Sequence, residues 1–473
     1  MNKSLSQYYC CPEQRLPLMP TGPFSGESGY FKFEHNVLYG RLYGGKTATQ
    51  PGYALREVCA ESLDHEGTVF LPFDATEVVN NLRYEAYTDS SAGWHPASSL
   101  LGRSYYFVRP ILPVAVRRHL QKIRLNGWRH LDFPHWPVDR TVDDLHERLL
   151  FLCLKASKQK EIPFIWFWPN GATSCAIMTH DVETSVGRDF SASMMSIDDE
   201  FGIKASFQVV PESRYDVPES YLEKIRNRGF EVNIQDLNHD GHLFRSKKEF
   251  LARAAKINAY RRQYKADGFR AAVLYRRQEW YDAFDFSYDM SVPNVAHLDP
   301  QRGGCCTVMP YFVGNMVELP LTTTQDYSLF HILEEHSIEL WKQQIELIMA
   351  KHGLISFIVH PDYVIDPEER ATYEVLVAYL KKMRAERKVW MPLPGEAAHW
   401  WRERSEMKLV EVDGTWQIAG KGKERAKVAY ASEKDGKLVY SLESRSNEAG
   451  SLNDRVIESN QQPVAASNST EFA

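Results

Sequence analysis

No stretch of this sequence reaches the roughly 18 consecutive apolar residues that a membrane-crossing helix needs. The lysine near the start, in MNKSLSQYYCCPEQRLPLMP, is followed by no apolar run, so a secretory signal peptide is not expected. Base is not in excess either: Lys+Arg 56 against Asp+Glu 62 gives a formal net charge of -6. Proteins whose main partner is bulk nucleic acid or an anionic membrane carry an excess of base, so nucleic acid is not expected as a partner. Cysteine is scarce. The seven cysteines are an odd count, and Cys10-Cys11 and Cys305-Cys306 are adjacent pairs rather than C-x-x-C motifs. Their spacing fits no zinc ribbon, and reduced thiols in a cytoplasmic protein are the expectation. No internal repeat is present.

What is there reads as globular: 473 residues, 43% hydrophobic, 25% charged and 12% aromatic, enough for two or three domains. Residues 1–170 mix short strands with helices, an α+β region that names no function by itself. Phe31–Phe33 and Val37–Leu42 flank a polar turn. Thr76–Thr88 has a helical pattern, with Asp74 or Thr76 as its cap. Pro113–Trp128 reads as a basic amphipathic helix and Val142–Lys155 as another helix. The basic stretch Arg117–Arg129 is one place where a peripheral membrane contact could form, although a solvated face is the plainer reading.

From residue 171 to 404 short apolar runs alternate with longer helical segments. The runs are Cys175–Met178, Ala205–Val210, Phe230–Ile234, Gly268–Ala272, Met316–Leu319, Leu354–Val359 and Val389–Met391. Helical stretches lie between them at Asp216–Arg228, Lys247–Tyr264, Tyr327–Lys351 and Pro367–Arg387. This alternation predicts an α/β fold with a parallel sheet, an open or closed barrel, and places chemistry at the carboxyl ends of the strands. Residues 405–442 alternate around Asp-Gly turns and predict a small antiparallel β segment. Residues 443–473, rich in Ser, Asn and Gln, read as a disordered tail.

Four strand ends carry polar residues. THDVE puts Thr179, His180, Asp181 and Glu183 past the first run. Asp181 and Glu183 are two apart, so an extended chain points both carboxylates one way, and converging carboxylates call for a cation or a shared proton. QDLNHDGH puts Gln235, Asp236, His239 and His242 past the third, with Gln235 and His239 spaced to share a ligand if the loop makes one helical turn. GFRAA offers Arg270, and His360 follows the apolar run LISFIV. Each has a plainer reading: turn chemistry for HDG, a structural hydrogen bond for a lone histidine, an ordinary ion pair for Arg270.

Taken in order, these motifs resemble those of the polysaccharide deacetylase (NodB-like) superfamily, carbohydrate esterase family four, over Thr173–Arg402. The resemblance implies a distorted (β/α) barrel of about seven strands. It implies Asp181 as catalytic base, Arg270 as its brace and His360 as acid. Glu183, Gln235 and His239 fall where the metal ligands, ordinarily Asp, His and His, would stand. The cofactor it implies is a divalent metal, zinc first, with cobalt, manganese or another harder ion favoured by the amide of Gln235. His242 or Asp240 could replace a ligand, and Asp236 could hold a water. Tyr288 and Tyr363, or a tryptophan such as Trp280, could stack on sugar rings.

The function so implied is hydrolysis of an N-acetyl or O-acetyl group on a carbohydrate by metal-activated water, at C–N bonds other than peptide bonds. Two rivals stand beside it. One is a barrel that binds a glycan or a partner without turnover, which Gln235 favours. The other is hydrolysis of a C–N bond in a small molecule.

Overall fold

The computed structural model describes residues 2–24, 26–52, 54–59, 67–88, 125 and 127–442. Its central sheet has eight strands: β1 (Cys175–Val182), β2 (Ala205–Val209), β3 (Glu231–Gln235), β4 (Gly268–Arg270), β5 (Tyr288–Asp289), β6 (Tyr311–Val313), β7 (Met316–Glu318) and β8 (Leu354–Ile358). They lie in the order β6-β7-β5-β4-β3-β2-β1-β8. Seven run parallel, and β6 pairs antiparallel with β7 at one edge. The sheet curls into a distorted, open α/β barrel.

Period-two alternation decides what each strand faces. In β1 every residue is buried. Ala176, Met178 and Val182 join the apolar layer under the helices, while Thr179 and Asp181 turn to the barrel interior. The helices obey ordinary end rules. Thr184 caps Ser185–Phe201 by accepting from the Gly187 N–H, and Gly202 ends it at φ 67. Pro367–Arg387 starts with proline in its first turn behind an Asp366 cap.

Several elements depart from expectation. β5 and β6 were not foreseen, and Val389–Met391 supplies one isolated bridge, Trp390 to Cys175, rather than a strand. The single helix expected over Tyr327–Lys351 is two: a π-helical turn at Ser328–Leu333 and an α-helix at Glu339–Met349. Glu334 at φ 57 interrupts them, and Ser337 accepts from the Glu339 N–H at 3.3 Å to start the second.

The first 170 residues and the last described ones share one core. Asp74 caps Ala75–Arg83, and Gly29–Phe33 pairs with Asn36–Gly40. Both C-terminal hairpins turn on Asp-Gly pairs with positive φ, Asp413-Gly414 and Asp435-Gly436. The second hairpin is not a separate unit: Val428–Lys434 pairs with Glu161–Ile165, completing a three-stranded sheet. Buried Arg404 donates to the carbonyls of Tyr8, Ile165 and Trp166. Trp168 and Trp400 pack in the same core as Ile177, Tyr288 and Leu354 at the foot of the barrel. All seven cysteines are free. Among the described residues no helix is long and apolar enough to cross a membrane. Most of the expected basic helix, including Arg117, Arg118 and Lys122, and the whole 443–473 segment lie outside the described residues.

A buried ion pair fastens the N-terminal region to the barrel. Arg276 Nε donates to Glu85 Oε2 at 2.7 Å and Nη2 to Oε1, which also accepts from the Gly304 N–H at 2.7 Å. Removing one partner of such a pair leaves a buried charge unanswered, which costs about 3–5 kcal/mol. Glu85→Ala is therefore expected to lower the thermal midpoint markedly; an unchanged melting curve would show that the pair fastens nothing.

Candidate active site

Five of the residues singled out from the sequence meet at the carboxyl ends of β1, β3 and β8. Asp181 is the last residue but one of the buried strand β1, and Glu183 follows it two residues on. Gln235 is the last residue of β3 and is buried. Its Nε2 lies 3.2 Å from Asp181 Oδ2 and 3.3 Å from Glu183 Oε1, donating to both carboxylates. His239 brings Nε2 to 2.7 Å from Glu183 Oε1, bent out of the ideal hydrogen-bond line. His360 Nε2 stands 3.6 Å from the same oxygen.

The loops are held for this. Asp362, two residues after His360, accepts from the Glu183 N–H at 3.1 Å and from the Thr184 hydroxyl. Tyr215 donates its hydroxyl to the Val182 carbonyl at 2.7 Å. His239 takes up φ 54 in the turn after β3, which aims its ring back toward β1.

Three partners of these residues were not foreseen. Asp326 Oδ1 lies 2.6 Å from His360 Nδ1, and its Oδ2 accepts from the His360 N–H at 2.6 Å. Arg214, on the loop after β2, places Nη2 2.9 Å from His239 Nδ1. Asp362 clamps the Glu183 loop. Asp326 directly precedes the helical stretch expected from Tyr327, and its carboxylate was not singled out. The only sequence signal was its place just before the apolar face SLFHIL.

Electrostatics separates the groups. Burial pushes the Asp181 carboxyl up, against the opposing pull of Arg270 and then His360. Burial also pushes Glu183 up, but the His239 and His360 imidazoles outweigh it and hold this carboxyl well below the usual range. Burial would lower His360, yet Asp326 and then Glu183 raise it well above an ordinary imidazole. Arg270 is fully buried, and Nη2 donates to Thr179 Oγ1 at 3.0 Å. Among the described residues no hydrogen bond or ion pair joins Arg270 to Asp181. Its influence on Asp181 passes through the field, and burial pushes both carboxyls of the neighbouring Asp289–Glu318 pair up, with Arg270 only partly opposing it.

Other expectations are corrected. Tyr288 is fully buried, and its hydroxyl meets Asn233 Nδ2 at 2.7 Å and Glu231. Glu231 opens β3 and Gln235 closes it, so Tyr288 sits about 13 Å from the site, at the strand's far end. Trp280 packs against Phe244 and Phe250 instead of lining the site. Tyr363 is at the site, its ring centroid 4.9 Å from that of His360. Asp240 is taken by Arg253, at 2.7 and 2.8 Å, and His242 lies beside Asp240 at 3.6 Å. Asp236 is buried and accepts from the Leu237 N–H. His180 points to the helices, with Asp198 at 3.0 Å. Beyond this cluster a cavity of about 530 Å³ opens between Tyr84–Thr88 and the loop Tyr275–Glu279.

The donor set does not fit a divalent metal. A glutamine that holds two carboxylates through its N–H groups turns hydrogens, not a lone pair, toward the shared space. A histidine whose Nδ1 accepts from arginine carries its proton on Nε2, the nitrogen facing Glu183. Among the described residues no group of three or more His, Cys, Asp or Glu is placed to hold a metal.

No protein-family profile matches the chain, and no curated protein does. Solved structures that are similar cover about half of it. One is a Mycobacterium smegmatis protein provisionally described as a polysaccharide deacetylase, 19% identical, covering 50% of this chain and 93% of that one at a TM-score of 0.41. Another is a family 4 acetyl xylan esterase from Clostridium thermocellum in complex with a cobalt ion, 15% identical, covering 48% and 91% at 0.31. A third is a mutant of BA3943, a CE4 family pseudoenzyme with restored enzymatic activity, 15% identical, covering 48% and 68% at 0.31. Likenesses this distant leave the reading of the site to its own geometry.

Proposed function

We propose that this site hydrolyses an acetyl group, N- or O-linked, on a carbohydrate, with Asp181 as base and His360 as acid. The observation that carries the reading is a buried Asp181 oxygen left without a hydrogen-bond partner, in one cluster with an imidazole, His360, that Asp326 holds through Nδ1. Asp181 Oδ1 is buried without a hydrogen-bond partner, so its lone pair is available to a water. His360 Nε2, at 3.6 Å from Glu183, is too distant for a full hydrogen bond and keeps its proton for a leaving group. Asp181 would take the proton of the attacking water, and His360 would then protonate the departing amine or alcohol. Arg270 favours the ionised base through its field, and Asp326 keeps the imidazole charged and oriented. No step runs through a metal. Tyr363, half-buried beside His360, is a surface on which a sugar ring can rest.

Asp181→Asn should cost about 10²- to 10⁴-fold in turnover on acetylated sugars with an unchanged melting temperature. Unchanged turnover would remove Asp181 from the reaction, and the binding-only alternative would gain if no acetylated carbohydrate were hydrolysed by either protein. His360→Ala should hurt a poor amine leaving group more than an activated ester; equal losses would count against the acid role.

The pH dependence follows from the same groups. Asp181 must be ionised, so the acid limb of kcat/KM should lie above the ordinary aspartate range. His360 must be protonated, and its raised pKa keeps it so beyond the ordinary imidazole range, placing the alkaline limb there. Asp326→Asn removes the largest raising influence, so that limb should move to lower pH while the acid limb shifts far less. An alkaline limb that stays put would dissociate His360 from it.

A further inference from the structure

We propose that this site does without a bound cation, the Gln235 amide and the Arg214–His239 pair standing where a divalent metal's charge would be. The argument is one of donors and acceptors. A histidine that ligates metal through Nε2 carries its proton on Nδ1, and that proton needs a carboxylate or carbonyl to receive it. Here Nδ1 faces Arg214 Nη2 at 2.9 Å, and a second contact from the same nitrogen reaches the His239 carbonyl at 3.3 Å. Guanidinium has only donors, so Nδ1 must accept, and the ring proton sits on Nε2 against Glu183. The outer partner of this histidine has the wrong sign for metal ligation.

Gln235 completes the replacement. Two carboxylates two residues apart need something between them, and the amide nitrogen supplies it, 3.2 Å from Asp181 and 3.3 Å from Glu183. Asp240 does not repair the set, since it is bound by both Nη atoms of Arg253. Arg214 is therefore a positioning residue: it fixes the tautomer of His239, and His239 holds Glu183. Only the turnover arm of the test rests on the hydrolase reading; metal uptake does not.

The full-length protein, stripped with chelator and desalted, is titrated with zinc chloride and with manganese chloride by calorimetry, with elemental analysis beside it. The wild type should retain neither ion. The double variant Gln235→His with Arg214→Ala should bind zinc near stoichiometrically, about 10- to 100-fold more tightly than Gln235→His alone. Stoichiometric zinc or manganese in the wild type overturns the proposal. So does a folded double variant that takes up no zinc, because Gln235 and Arg214 would then not be what stands in the cation's place.

Arg214 is exposed, so Arg214→Ala alone keeps the test open if the double variant fails to fold. Nitrogen NMR should show His239 as the Nε2–H tautomer in the wild type and as a mixture in Arg214→Ala; a wild type protonated on Nδ1 alone overturns the assignment. Turnover that requires added zinc would overturn this proposal and leave the hydrolase reading standing. A wild type with neither metal nor turnover would support this proposal and defeat that reading.

Discussion

A carboxylate taken out of water must be answered by a donor, and this fold buries carboxylates repeatedly. Several carboxylates are met by groups from a distant part of the chain. Asp143 accepts from the Thr307 hydroxyl at 2.8 Å and the Val308 N–H at 2.9 Å, tying the helix Thr141–Ala156 to the barrel. Glu85 meets Arg276, and Asp198 meets His180 and Tyr373. Glu183 meets Gln235, His239 and His360. The site belongs to the same scheme. A polar barrel interior costs desolvation, which the two apolar cores on either side of the sheet offset.

Much of the barrel was legible because parallel strands buried on both faces write themselves as apolar runs, and the helices between them carry caps. Lys247–Tyr264 and Pro367–Arg387 stand within the bounds expected. β5 was not legible, since two residues, Tyr288 and Asp289, are too few to show a period. Tyr288, read as a ring that could stack on a sugar, is a strand residue locked to Glu231. At the site, the strand-end logic located Asp181, Glu183, Gln235, His239 and His360, because chemistry at strand ends follows from topology. Asp326 and Arg214 escaped it. Their importance lies in which atom they face, and facing is a property of three-dimensional approach rather than of spacing along the chain.

The union of the two chain ends was equally hidden. Tyr9 and Tyr440 share a hydrogen bond of 2.7 Å across 431 residues of sequence. The hairpin that carries Tyr440 alternates cleanly and would satisfy its own ladder, so nothing in it announces a third strand. What demands the third strand is burial: Ala429, Ala431 and Tyr440 are buried, and a lone two-stranded hairpin cannot bury its face. Glu161–Ile165 supplies the partner, and the foot of the barrel is closed by tryptophans from both ends.

The exchange of an imidazole for an amide at Gln235 cannot be judged alone. An amide can offer either its oxygen or its nitrogen, and the neighbours decide which. With two carboxylates in front of it, nitrogen is favoured, because oxygen would set three acceptors against one another in a buried space. A cation between the carboxylates would reverse that preference and draw the oxygen in. The state of Gln235 and the presence of an ion are thus two sides of one choice, and His239 makes the same choice through its tautomer. Arg214 weights that choice toward the cation-free state, since its guanidinium can only donate to Nδ1. That coupling makes an exposed arginine, outside every motif that brought attention to this chain, a determinant of what the buried site can hold.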